Sequence, residues 1–259
     1  MHPIHTTNCL DNPLPTYLAL TMTTRVDVAE SSSLLRETDA RAGRAVAFPL
    51  REVLAEILGT AILANAVAMG EGALHLGLLL AALVFSVGHI SGAHLNPAVT
   101  LSVLVRGKID LMKAFYYLIS QVVGAFLGGL IAMPILDELS GGKVTAPAVA
   151  EGVGALTAVS VEALYTMILA LVILNVATTR SQEGNSFFGL AIGSALTLGA
   201  SVAGKISGGA LNPALGLALP VLRDDGLGDI WIYIVGPLVG GLLATGAFYL
   251  TAKPDEFMA

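Results

Sequence analysis

The tripeptide Asn-Pro-Ala stands twice in this chain, at Asn96-Pro97-Ala98 and Asn212-Pro213-Ala214, each time after a Ser-Gly-x-x-Leu run and before a short apolar stretch. Two further segments repeat. Ala55-Glu56 with Thr60 matches Val161-Glu162 with Thr166, an offset of 106 (162 − 56), and Val123-Gly124 with Gly128-Gly129 matches Val235-Gly236 with Gly240-Gly241, an offset of 112 (236 − 124). Six apolar stretches surround these motifs, at 53–69, 73–87, 114–136, 153–177, 187–202 and 230–252, most of them near the length an α-helix needs to cross a bilayer. Each half holds three, and an odd number of crossings makes the halves insert in opposite directions. Two shorter pieces, 98–105 and 214–222, cannot cross and follow Gly-rich turns, which suits re-entrant half-helices. The predicted fold is therefore an all-α membrane protein: six transmembrane helices, two re-entrant half-helices and inverted three-span repeats, repeat one at 50–137 and repeat two at 152–252.

Composition agrees. Hydrophobic residues make up 55% and charged residues 12% of the 259, and the mean hydropathy is +0.79, far from the mix of a soluble domain. The net charge of −6 and the lack of a basic stripe argue against nucleic acid as a partner. Cys9, the single cysteine, allows no intrachain disulfide. No Ser-His-Asp, Cys-His or nucleotide-loop pattern suggests an enzyme, and no cofactor is expected. Residues 1–49 read as a polar, mostly disordered tail in which Ser31-Ser32-Ser33 is a solvated stretch rather than a phosphorylation switch. Lys and Arg fall mostly on one side of the six spans, which puts both termini, including a short 253–259 tail, in the cytoplasm.

Asn is a favoured N-cap and Pro a favoured first helical residue, so each triplet should start a helix. In inverted repeats the two starts meet near the midplane, where their partial positive ends repel cations, hydronium included. Each Asn side-chain oxygen should cap its own helix and leave the amide NH2 for a passing oxygen. A water accepting from both must turn its hydrogens away from the midpoint, which breaks the file along which a proton would hop. The carbonyls of Gly92, Ala93, His94, Gly208, Gly209 and Ala210 should line the pore, because such backbone cannot face lipid.

The run from Gly88-His89-Ile90-Ser91 through Gly92-Ala93-His94-Leu95 to Asn96-Pro97-Ala98-Val99-Thr100, with its second-half counterpart, resembles the aquaporin (major intrinsic protein) signature. The resemblance extends over about 51–251 and takes in Glu56, Glu162 and Gln121. It implies a passive channel for water or small neutral solutes in a lipid bilayer, homotetramers with one pore per subunit, and buried carboxylates that brace the re-entrant loops; Gln121 and His89 are carried over as bracing residues. It implies a multi-pass protein of the plasma membrane, with an intracellular membrane as the alternative. It also implies a four-residue filter, here Leu76, Ala200, Gly209 and Leu215, with Leu215 where most members carry Arg. Such a filter is either wide, passing glycerol, urea, ammonia or hydrogen peroxide, or closed by its leucines. Gly216 and Tyr233-Ile234 occupy further positions that separate water from glycerol channels in the family, and here they are mixed.

Rival readings exist. Glu56 and Glu162 could relay protons, although symmetric placement favours bracing. His75, His89 and His94 have no Cys or acidic residue completing a metal set. The Gly124/Gly128 and Gly236/Gly240 pairs suit close packing within one subunit better than subunit contacts. A secondary transporter or a non-conducting membrane scaffold would share the architecture.

Overall fold

A computed structural model describes residues 48–256, and the expectations for Cys9, Ser31-Ser32-Ser33 and most of the 1–49 tail lie outside that range. Eight α-helices follow one another: α1 Leu50–Ala68, α2 Ala73–Ser91, α3 Pro97–Val105, α4 Leu111–Ser140, α5 Ala155–Thr178, α6 Phe188–Ala203, α7 Pro213–Arg223 and α8 Ile230–Thr251. The described residues contain no strand. The six long helices lie where the six apolar stretches predicted spans, and α3 and α7 are the two half-helices. By length and apolarity four of the long helices can cross a membrane unaided: α2, α4, α5 and α8. The other two differ for local reasons. α1 carries Arg51, Glu52 and Glu56, and α6 has 16 residues, a rise of about 24 Å.

Glycine sets the closest helix crossings. A Cβ on Gly124 would lie 2.5 Å from the Ile57 carbonyl and one on Gly128 2.1 Å from that of Ala61, so α4 lies backbone to backbone on α1. Gly236 and Gly240 repeat this in the second half, the latter 2.3 Å from the Ala163 carbonyl, and seat α8 on α5. Both small-residue pairs are thus used inside the chain, as their spacing suggested. The third crossing joins the halves: a Cβ on Gly77 of α2 would lie 2.4 Å from the Gly193 carbonyl of α6, and one on Gly193 2.2 Å from the Gly77 carbonyl. Gly77 and Gly193 are 116 apart, the spacing of the Asn-Pro-Ala motifs. Such a reciprocal contact marks a pseudo-twofold axis between the repeats.

Candidate functional site

Both re-entrant loops hang on a buried carboxylate. Glu56 Oε1 accepts from Ser91 Oγ at 2.7 Å and His94 N at 2.9 Å, while Oε2 accepts from Leu95 N at 2.7 Å and Gln121 Nε2 at 2.8 Å. Glu162 does the same in the second half, with Ser207 Oγ at 2.7 Å, Ala210 N at 3.0 Å and Leu211 N at 2.7 Å. Both side chains are completely buried, so these donors replace the water each carboxylate has lost. What they hold is unusual backbone. Leu95 (φ 51°) and Leu211 (φ 49°) are left-handed, a conformation that costs a non-glycine residue energy and persists only under constraint.

Two tyrosines, which sequence reasoning did not place, complete the bracing. Tyr117 Oη donates to the Ser91 carbonyl at 2.6 Å and Tyr233 Oη to that of Ser207 at 2.8 Å. They stand 116 apart, the spacing of the loops they brace, although α4 and α8 themselves repeat at 112, so matching the two helices does not pair them. Tyr233 is fully buried, so its hydroxyl acts behind the loop. Gln121 also donates to Thr100 Oγ1 at 2.8 Å, and His94 Nδ1 lies 3.2 Å from the same hydroxyl. His89 is a correction. It is exposed in the last turn of α2, because two residues of helix turn it about 200° from Ser91, away from the loop.

The two Asn residues cap as expected: Asn96 Oδ1 accepts from Ala98 N at 2.8 Å and Asn212 Oδ1 from Ala214 N at 3.0 Å. Pro97 and Pro213 open α3 and α7. Their amides are less free than the sequence suggested. Asn96 Nδ2 donates to the Leu211 carbonyl at 2.8 Å and Asn212 Nδ2 to the Leu95 carbonyl at 2.9 Å, so each half is tied to the other and one N–H per amide remains for a solute.

A narrow cavity of about 40 Å³ runs past this pair, lined by Asn96 and Asn212, with room for about three waters in file. Ala93, His94, Gly209 and Ala210 line it, whereas Gly208 lines the adjoining mouth of about 190 Å³. Gly92, at the exposed left-handed end of α2, lines neither cavity. Leu76, Ala200, Gly209 and Leu215 do come together: with Val67 and Ala210 they are the residues shared by lumen and mouth, and so form the neck between them. Val67 was missed. It sits eleven residues after Glu56, as Leu63 sits seven after, so both lie on the helix face that carries the bracing carboxylate. The segment 142–153 walls the mouth through Thr145, Ala146 and Pro147. It is pinned by Thr145 N on the Ala68 carbonyl at 2.8 Å, Ala150 N on that of Ile206 at 3.0 Å, and Arg223 Nη1 on that of Ala146 at 3.3 Å.

Residues 42–249 match the family model of the major intrinsic protein. Human aquaporin-1 is 38% identical over 168 residues, 65% of this chain and 62% of that protein. The rat lens fiber major intrinsic protein is 36% identical over 173 residues, 67% of this chain and 65% of that one, so the matched part spans just under two thirds of both relatives. The fold is similar to the X-ray structure of the aquaglyceroporin from Plasmodium falciparum, with a TM-score of 0.69 and 25% identity over 82% of this chain and all of that one. With a family match over most of its length and the paired half-helices in place, this multi-pass integral membrane chain belongs to the major intrinsic protein family.

Proposed function

We propose that the protein is a passive transmembrane channel for water and small uncharged solutes that excludes protons at the Asn96/Asn212 pair. The observation that carries this reading is the reciprocal Asn tie inside a lumen: two helix N-termini face each other across the solute path, each with one amide N–H left to donate. Their partial positive charges oppose a cation, and a solute oxygen accepting from both amides cannot also pass a proton along a file.

The neck of Leu76, Ala200, Gly209 and Leu215 sets selectivity without a fixed charge. It admits glycerol, urea, ammonia or hydrogen peroxide more readily than an Arg-bearing filter would, in keeping with the aquaglyceroporin whose fold it shares. The channel works as a homotetramer, with one pore per subunit and both termini cytoplasmic, in the plasma membrane.

Stopped-flow light scattering on proteoliposomes tests the reading. Wild type should pass water and glycerol or urea, Leu215→Arg should keep water and lose the larger solutes, and an entrapped pH dye should report no proton flux. If neither protein exceeds protein-free vesicles for any solute, a scaffold role replaces the channel. Wild-type silence with a conducting Leu215→Arg would instead make the leucines a closed apolar gate.

A further inference from the structure

The two halves share one backbone plan, so each residue at the neck has a repeat counterpart, and five of the six counterparts lie along the lumen. In the loops and in α2 against α6 the spacing is 116; in α1 against α5 it is 106. Leu215 thus pairs with Val99, Leu76 with Ile192, Gly209 with Ala93, Ala210 with His94, and Val67 with Ile173. All five of these counterparts line the lumen. Ala200 pairs with Val84, which is buried in the surrounding core.

Side-chain size then separates the two ends. At the far end Ile173 stands for Val67, Ala93 for Gly209 and His94 for Ala210, each larger than its counterpart. Ile192 and Leu76 are isomers, and only Val99 is smaller than its partner Leu215. The backbone at the two ends is held alike, since Glu56 and Glu162 accept from the matching serine and pair of loop amides and the Gly77/Gly193 and Asn contacts are reciprocal. Only the neck opens into the 190 Å³ mouth through shared walls.

We infer that the size limit on permeating solutes is set at this far ring, by Val99, Ile173 and Ile192 beside Ala93 and His94, and not at the neck. The neck then governs the chemistry of entry and the far ring the girth of what leaves. This rests on the channel reading above. It differs from the expectation that the Leu76/Leu215 filter is the decisive constriction.

A polyol series of rising size, glycerol, erythritol and xylitol, separates the two ends in proteoliposomes carrying wild type, Val99→Ala, Ile192→Ala, Ile173→Ala, Leu76→Ala or Leu215→Ala. Thermal unfolding in detergent serves as the control for folding, and three independent far-ring variants guard against the loss of any one. The far-ring variants should raise flux of the first polyol that wild type excludes by about tenfold, the scale of a methylene-sized fit, while the neck variants leave the cut-off in place. A cut-off that moves with Leu76→Ala or Leu215→Ala alone overturns the inference, as does one that moves with none. If wild type is silent and only far-ring variants conduct, the inference stands. If neck variants alone conduct, it falls while the channel reading survives. Silence in every protein ends both.

Discussion

At the residue scale, two leucines carry the strain and two glutamates hold it. Leu95 and Leu211 occupy left-handed backbone that glycine would adopt more readily, yet each side chain is seated against a glycine of a neighbouring helix, Leu95 on Gly59 and Leu211 on Gly199. The leucine is kept for its packing and the carboxylate fixes its amide. Replacing Glu162 with Gln removes the charge that two loop amides and Ser207 share, and should lower stability by on the order of 2–3 kcal/mol and reduce solute flux; thermal unfolding and stopped flow on the same preparation measure both. Outside the membrane, the Arg223 hydrogen bond, followed by its charge, holds the Asp225 carboxyl below its ordinary value. A depressed carboxylate stabilises the fold above its unfolded pKa, about 4, and loses that contribution as pH falls toward the folded value. Arg223→Ala should therefore raise the Asp225 titration midpoint, which a carboxyl chemical-shift titration follows. That pair also steadies Arg223 against the Ala146 carbonyl at the mouth, and the variant should alter mouth order without changing the lumen.

At the element scale, glycine decides how near the helices come. Gly128→Ala would drive a methyl to 2.1 Å from the Ala61 carbonyl, a backbone atom that cannot swing aside. The α1/α4 crossing should open and stability fall by about 1–3 kcal/mol. Gly246→Ala in α8 meets nothing within 4 Å and should be neutral or stabilising by up to about 1 kcal/mol, so thermal unfolding of the two variants separates crowding from helix propensity. The elements themselves were legible in the sequence. Apolar length gave the six long helices, and Asn-Pro gave the starts of α3 and α7, because those signals are local. The lumen wall was legible only in part. The four filter positions came from the family resemblance, but Val67 and Ile173 are single aliphatic residues in mostly apolar helices, where only their spacing of eleven from Glu56 and Glu162 marks the pore face. His89 failed for the same reason: a residue inside a recognised motif was given the motif's role, although helix phase turned it outward.

At the scale of the whole molecule, the Asn ties make two half-proteins into one pore. Asn96→Ala and Asn212→Ala should each leave one carbonyl, of Leu211 or Leu95, without its donor. A double-mutant cycle should show coupling of about 0.5–3 kcal/mol in detergent unfolding, and the double variant should leak protons to an entrapped dye where wild type does not. The same ties bear on the order of biosynthesis. The carbonyl that Asn96 needs lies 115 residues further along the chain, on the order of ten seconds of ribosomal elongation. Through that interval the first re-entrant loop waits in the bilayer with the Asn96 amide and the Leu95 carbonyl lacking their mates, which hydrocarbon penalises severely. The nascent first half must therefore be sheltered, by water in an open crevice or by the insertion machinery, until the second half arrives to close it.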